Sequence, residues 1–174
     1  LPLSRGLGDV YKRQVFTTPH ALRVEGHVSS TKPLSHQGTL IDEIRVVFEK
    51  GSIIEAKARK GETVLKKVLE SDEGARRLGE VALVPNSSPI SSSGLLFYNT
   101  LFDENAACHI ALGQCYSKCF KGEKNLSSAE IGDRGGNSSM IHIDWMIGSG
   151  DIDIDGLGKD GGTVPIFRKG EWVD

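Results

Sequence analysis

The run of residues 139–148 places a histidine and an aspartate two positions apart in an otherwise apolar stretch. If the stretch is a strand, alternation puts His142 and Asp144 on one face, about 7 Å apart along the chain. Burying two polar groups costs free energy unless something binds them, and an imidazole beside a carboxylate suits a divalent metal ion. The alternative is that the pair hydrogen-bonds to itself or to the backbone. The motif taken alone favours this simpler interpretation.

Three further side chains are candidate metal ligands because of where they stand relative to predicted elements. Glu80 precedes the apolar run of residues 81–84, and a carboxylate there can project from the end of a strand. Glu104 and His109 flank a short uncharged segment. Each also has an ordinary explanation: a salt bridge for Glu80, a solvated or capping position for Glu104 and a hydrogen-bonded core position for His109. The spacing does not match the H-E-x-x-H motif of zincin proteases.

Two other patterns could bind metal but have simpler explanations. Cys115 and Cys119 would share a face if their segment is helical and could join a zinc site, although small buried thiols are commoner. Residues 151–156 match the first half of an EF-hand loop, but Gly162 stands at the twelfth position, where calcium binding requires a bidentate glutamate. Solvated aspartates that alternate with buried isoleucines explain this run better.

The composition narrows the classes of function. The 174 residues are enough for one domain with a sizeable core. The net charge of −2 argues against a protein that binds nucleic acid by electrostatic attraction. No apolar run reaches the roughly 18 residues that a bilayer span needs, so we expect a soluble protein without a membrane partner. The three cysteines, an odd number, fit the reducing cytoplasm.

Patterns along the chain predict many short strands and few helices. Extended segments are predicted at residues 15–27, 41–49, 53–59, 81–84 and 139–148, and a terminal hairpin at 151–173. Helical spacing predicts helices at residues 64–69 and 72–79. Residues 106–120 fit either a helix or a strand followed by a turn, and residues 86–94 and 132–137 are predicted loops. The predicted fold class is α+β: a strand-rich twisted sheet or partial barrel with two or three helices.

The first fourteen residues are expected to be non-native. The chain begins with Leu1 rather than methionine, and residues 1–14 show no clear helical or strand period. They resemble the translated read-through of sequencing adapters at the edge of an assembled sequence. We therefore expect residues 15–174 to be the C-terminal, metal-binding catalytic piece of a longer protein whose upstream domain is missing.

Six separate motifs, in order and at consistent spacing, resemble the aminopeptidase T/aminopeptidase S family of metallo-exopeptidases. The resemblance covers essentially residues 15–173. The motifs are Val15–Pro19, Gly79–Val84, Phe102–Gly113, Tyr116, Asn137–Gly148 and Phe167–Trp172.

This resemblance implies a cytoplasmic, dimeric enzyme that uses two divalent metal ions to remove N-terminal residues from peptides. Carboxylate-rich sites with two imidazoles accept zinc, cobalt or manganese. The family's catalytic tyrosine falls on Tyr116. Its metal ligands fall on Glu80, Glu104, His109, His142 and Asp144.

The sequence departs from the family pattern at one metal ligand. The family has two acidic residues directly before the Val-Phe-Thr segment, one of which binds metal, whereas Arg13 and Gln14 stand here. The three carboxylates of Glu80, Glu104 and Asp144 then balance only three of the four positive charges of two divalent ions. The positive charge of Arg13 adds repulsion of the ions. We therefore expect one tightly bound ion, a weakly bound second ion and little or no activity. The rival hypothesis is a non-enzymatic domain that retains the fold for dimerisation or binding.

Overall fold

A computed structural model describes residues 14–122 and 125–173 of the chain. Within those ranges it contains twelve strands and four α-helices. The strands are β1 (Val15–Thr17), β2 (Gly26–Ser29), β3 (Leu34–His36), β4 (Thr39–Ile41), β5 (Arg45–Glu49), β6 (Ser52–Lys57), β7 (Leu78–Leu83), β8 (His109–Gly113), β9 (His142–Met146), β10 (Ile154–Leu157), β11 (Thr163–Arg168) and β12 (Glu171–Trp172). The helices are α1 (Glu62–Leu69), α2 (Pro89–Ser93), α3 (Thr100–Asp103) and α4 (Ser128–Asp133).

The central sheet contains four antiparallel strands in the order β1-β7-β8-β9. All five residues of β8 are buried, because this strand is flanked by neighbours and covered on both faces. One face of the sheet packs into the main apolar core through side chains such as Leu78, Leu112 and Trp145. The opposite face is therefore the one on which polar side chains of β7, β8 and β9 gather.

A second sheet, β2-β5-β6, the β3–β4 hairpin and helix α1 complete the core. The predicted hairpin around residues 50–52 is confirmed, since β5 and β6 pair antiparallel there. Its turn requires glycine at position 51: the φ angle is +79°, and a Cβ atom would lie 1.8 Å from the carbonyl oxygen of Ala21. The predicted helix is confirmed as α1, which buries Leu65 and Leu69 against the core.

The terminal hairpin predicted for residues 151–173 is confirmed as β10 and β11, with β12 as a third strand. Asp155 forms an ion pair with Arg168, and the Asp153 carboxylate accepts a hydrogen bond from the backbone N–H of Lys169. These two acidic side chains therefore stabilise the hairpin, as expected for a run that is not a calcium loop.

Several predictions for the connecting segments were only partly right. Residues 72–79 contain a shorter 3₁₀ helix, Glu73–Arg76, and residues 106–120 contain β8 followed by the 3₁₀ helix Ser117–Cys119. The predicted loop at 86–94 contains α2, and the predicted glycine-rich loop at 132–137 overlaps the end of α4. Ser127 begins α4 with a reciprocal capping box to Glu130, a local signal that the sequence analysis overlooked.

The α+β, strand-rich fold class is confirmed. The sheets in the described residues are open, so the twisted-sheet alternative holds and the partial-barrel alternative does not. Four short α-helices occur there, one more than the upper number predicted. No helix in the described part of the chain is long and apolar enough to cross a membrane.

Candidate metal centre

Four of the predicted ligands lie on one face of the central sheet. Ala111 is directly opposite Glu80 on one neighbouring strand and directly opposite Asp144 on the other. His109 is two residues before Ala111 on β8, and His142 is two residues before Asp144 on β9. Because alternate residues of a strand share a face, all four polar side chains surround the small, fully buried side chain of Ala111.

A β-bulge at Gly79 turns Glu80 toward this face. The register shifts between Leu78, which pairs with Leu112, and Glu80. In a regular strand, residues 78 and 80 would share a face, but the bulge leaves Leu78 in the apolar core and Glu80 beside the histidines. Only glycine fits at the bulge, since a Cβ atom on Gly79 would lie 2.3 Å from the carbonyl oxygen of Gln114.

Replacing Gly79 with alanine is therefore expected to lower both stability and metal affinity. The methyl group meets backbone atoms that cannot move aside, so the free energy of unfolding should fall by about 1–3 kcal/mol. Misplacing Glu80 should weaken zinc binding by at least about tenfold. Urea unfolding and zinc titration measure the two effects. Gly132→Ala is the matched control, because nothing lies within 4 Å of a Cβ atom there; equal behaviour of the two variants would contradict this role of the bulge.

His109 is fixed by contacts at both ring nitrogens. Its Nδ1 lies 3.2 Å from the carbonyl oxygen of Ala107, an acceptor, so Nδ1 carries the proton that it donates. Its Nε2 then faces the acidic residues, 3.8 Å from a carboxylate oxygen of Glu80. The ligand atoms of Glu80, His109 and Asp144 all lie within 4.8 Å of one another. Neutral imidazole with this orientation suits a metal ion.

His142 has the same arrangement. Its Nδ1 lies 2.7 Å from the carbonyl oxygen of Gln114 and donates to it. Its Nε2 is 3.4 Å from one oxygen of Glu80 and 3.4 Å from one oxygen of Asp144. This Nε2 atom is buried and has no hydrogen-bond partner in the described structure. A buried nitrogen that faces two carboxylates without a well-aligned hydrogen bond is well placed to bind a cation once it is unprotonated.

The side chains of this cluster shift one another's pKa values. Burial lowers the pKa of His142, but the adjacent carboxylates of Asp144 and Glu80 outweigh this effect and raise it to about 10. Burial raises the pKa of Glu80, whereas its contacts with His109 and His142 outweigh burial and lower it below the ordinary value. Without a metal ion, the cluster is therefore held together by a proton on the imidazole between two carboxylates.

Glu104 and Tyr116 lie in the walls of a cavity of about 470 Å³ that is also lined by Glu80, His142 and Asp144. Glu104 begins the 3₁₀ helix Glu104–Ala106 and is buried. Tyr116 follows β8, and its ring centroid is 4.8 Å from that of His142. The structure thus brings all five predicted ligands and the predicted catalytic tyrosine into one region.

The phenol of Tyr116 is a proton donor at neutral pH. Burial raises its pKa, and repulsion from Glu80, Asp144 and Glu104 acts in the same direction, to about 12. The ring also packs edge-on against Phe16, with centroids 5.7 Å apart. The hydroxyl therefore stays protonated and the ring is held at the cavity wall.

The cavity includes residues that the sequence analysis did not select. Gln14, which was assigned to the non-native segment, lines the cavity, and its Oε1 atom is buried without a hydrogen-bond partner in the described structure. His36, from the β3–β4 hairpin, lines it as well. No local motif marked His36, whereas the position of Gln14 before the Val-Phe-Thr segment had marked it as a departure from the family's metal-ligand pattern. Arg13 lies outside the described residues.

The cysteines fit the simpler of their two explanations, that of small thiols and not of zinc ligands. Cys108 and Cys115 are buried free thiols, and Cys119 is half-buried. Burial raises the pKa of Cys115, which keeps the thiol protonated. Among the described residues, the group that could hold a metal contains Glu80, His109 and Asp144 and no cysteine.

Metal binding at this centre is expected to weaken as the pH falls. A bound imidazole must be neutral, whereas the metal-free His142, with its pKa raised to about 10, carries a proton at neutral pH. Each pH unit below this pKa should therefore cost about tenfold in zinc affinity. Zinc titration against a competing chelator between pH 6 and pH 8 measures this slope. An affinity that does not change over this range would contradict the assignment of His142 to the site.

Comparison with known proteins agrees with a metal centre. The family model described as "Thermophilic metalloprotease (M29)" matches residues 12–172. The chain is 55% identical over 160 residues to Aminopeptidase T of Thermus aquaticus, a match that covers 92% of this chain and 39% of that protein. It is 53% identical over 167 residues to Aminopeptidase AmpS of Bacillus subtilis, covering 96% of this chain and 41% of that protein.

A solved structure is similar over nearly the whole chain. Wild-type AmpT from Thermus thermophilus superposes with a TM-score of 0.88 at 52% identity, covering 92% of this chain and 39% of that one. The chain spans about two fifths of the length of the curated relatives that it matches. The family model covers nearly all of the chain, and four of the predicted ligands lie together on one sheet face. The chain therefore belongs to the M29 family of metalloproteases.

Proposed function

We propose that Glu80, Glu104, His109, His142 and Asp144 hold two divalent metal ions, with zinc, cobalt or manganese as the candidates. The observation that carries this proposal is the group of Glu80, His109 and Asp144 on one sheet face, with the Nε2 atom of His142 3.4 Å from both carboxylates and without a hydrogen bond in the described structure. Nitrogen and carboxylate oxygen donors fit these ions. Glu104 supplies a further carboxylate to the same cavity.

We propose that the complete protein is an aminopeptidase, which removes N-terminal residues from peptides. When bound, the ions would lower the pKa of a water molecule and polarise the scissile carbonyl. The carboxylates of Glu80, Glu104 and Asp144 line the cavity, so an ion that they hold could also bind the free amino group of a peptide. Such a site selects the chain terminus, because internal peptide bonds lack a free amine.

Tyr116 is proposed to stabilise the transition state. Its raised pKa keeps the phenol protonated, so it can donate a hydrogen bond to the negative oxygen that develops on the attacked carbonyl. Its packing against His142 and Phe16 orients the ring without help from the substrate. Preorganisation of this kind is what makes a single donor effective.

The complete protein is also proposed to be cytoplasmic and homodimeric, to act on peptide substrates and to lack nucleic-acid and membrane partners. Residues 15–174 would be its C-terminal piece, and residues 1–14 a non-native addition. The relatives are about two and a half times as long as the matched segment, which supports a missing upstream domain.

The piece itself is proposed to bind one ion tightly and a second weakly, with little or no activity. Gln14 lines the cavity with a neutral amide, where the resemblance calls for a carboxylate. The same observation supports the second candidate, a non-enzymatic domain that retains the fold for dimerisation or binding. The genomic sequence upstream of Val15 separates the two: an acidic pair preceded by another domain supports the enzyme, and a genuine Arg-Gln supports the binding domain.

The experiment that tests the function is release of the first residue from a short peptide by the complete protein, with and without a chelator. Release should depend on metal and should fall by about 10²–10³-fold in Tyr116→Phe, with metal content unchanged, because one donor to the oxyanion is lost. Tyr98→Phe, at an exposed tyrosine, is the control. Chelator-insensitive release, or full activity of Tyr116→Phe, would contradict the mechanism.

A further inference from the structure

Behind one wall of the metal cavity lies a second, much smaller void. The cavity has a volume of about 470 Å³, whereas the void has about 10 Å³, roughly the size of one water molecule. The void lies in the apolar core beside Leu112 and Trp145. Three residues, Leu34, His36 and Ile143, line both spaces. These three side chains therefore form the partition between the cavity and the core.

His36 is the polar member of this partition, and its position is well defined. It is the last residue of β3 and pairs with Thr39 across a two-residue turn. The turn residues Gln37 and Gly38 have φ angles of 47° and 75°, which is the left-handed geometry of a tight hairpin turn. The half-buried imidazole is thus held at the cavity wall by a short turn, and it is not among the proposed metal ligands.

The space next to the partition is suited to an apolar side chain. The apolar part of the cavity lining consists of Phe16, Leu34, Leu101 and Ile143, and the hydroxyl-bearing residues Ser35 and Thr100 line the cavity as well. A peptide whose amine and scissile carbonyl lie at the metal ligands must place its first side chain in the rest of the cavity. Mainly apolar pockets closed by a few polar groups bind such side chains, and the residue that closes the pocket limits their size.

We propose that His36 sets the size of the pocket that receives the first side chain of the substrate, an inference that rests on the proposed aminopeptidase function. Truncating His36 opens the partition at one of its three side chains and joins the void behind it to the cavity. The imidazole volume and the void then become available to a larger side chain. His36 is thus a specificity residue, and its contribution is steric.

The test measures binding of amino-acid hydroxamates, which carry a free amine and a metal-binding group, to the zinc-loaded chain. For each variant, the ratio of tryptophan hydroxamate affinity to alanine hydroxamate affinity is compared with that of the unmodified chain. His36→Ala should raise this ratio on the order of tenfold, as expected when a hydrophobic pocket gains room for a larger group. His36→Phe, which adds volume at the partition, should lower it. Thr39→Ala is the control, because Thr39 pairs with His36 but lines neither space.

The outcomes separate this inference from the function on which it rests. If the unmodified chain binds alanine hydroxamate in a zinc-dependent way but His36→Ala and His36→Phe leave the ratio unchanged, or shift it in the same direction, the role of His36 is overturned alone. If no hydroxamate binds the zinc-loaded chain, the proposed function fails and this inference fails with it. Should His36→Ala not fold, the direction of the shift in His36→Phe decides the matter.

Discussion

Replacing Glu80 with glutamine is expected to lower zinc affinity by at least about a hundredfold. Glu80 is the carboxylate that contacts both histidines, with its oxygens 3.8 Å from His109 Nε2 and 3.4 Å from His142 Nε2. Changes to residues that only support a metal ligand cost 10–100-fold in affinity, so loss of a ligand charge should cost at least the upper value. The shape of the side chain is kept, and the bulge at Gly79 still positions it. The change therefore isolates the charge.

Isothermal titration with zinc measures this loss, and circular dichroism checks that the variant is folded. Glu55→Gln is the matched control, because Glu55 is an exposed strand carboxylate on β6 that pairs with Lys57 outside the central sheet. The control should bind zinc as the unmodified chain does. Comparable affinity in Glu80→Gln and Glu55→Gln would remove Glu80 from the metal centre.

Replacing Gln14 with glutamate is expected to add a second tight metal site. Gln14 lies directly before β1 and two residues before Phe16. Phe16 pairs with Ala82 on the face of the central sheet that carries Glu80. Its Oε1 atom already lies buried in the metal cavity without a hydrogen bond in the described structure. A fourth carboxylate would balance the four positive charges of two ions. At a separation of about 4 Å, one added unit charge is worth a few kcal/mol in a partly buried site, so affinity for the second ion should rise about a hundredfold.

Elemental analysis after gel filtration tests this prediction directly, because it measures the zinc equivalents that each chain retains. The unmodified chain should retain about one equivalent of zinc and Gln14→Glu about two, in keeping with two-metal sites whose charge is matched by carboxylates. Gln37→Glu, which adds the same charge on an exposed turn, is the control. Two tightly held equivalents in the unmodified chain, or one in Gln14→Glu, would contradict the view that position 14 decides the second site.

The sequence predicted β9 and part of β7 but left the segment of β8 open between helix and strand, and it did not show how the strands combine. Alternation around His142 and Asp144 placed both side chains on one face of β9, and the structure places them so. Local patterns suffice for this, because a strand's two faces follow from its own period. Packing between residues that are far apart in the sequence decides which strands become neighbours. The pairing of Ala111 with both Glu80 and Asp144 could therefore not be predicted from the sequence.

Two details of the site depend on local exceptions to regular patterns. The bulge at Gly79 reverses the face of Glu80, and a rule of strict alternation would have placed Glu80 in the core with Leu78. Gln14 was set aside with the preceding residues, yet it lines the cavity. The short helices α2 and α3 were missed because four or five residues are too few to show a helical period.

The most direct test of the metal centre is anomalous diffraction at the zinc edge from crystals of the zinc-loaded chain. The strongest peak is expected about 2.0–2.2 Å from Nε2 of His109 or His142 and from carboxylate oxygens of Glu80 and Asp144, the usual zinc–ligand distances. A strongest peak at any other place, such as beside Cys119, with no density between His142 and Glu80, would contradict the central claim that this sheet face is a metal site.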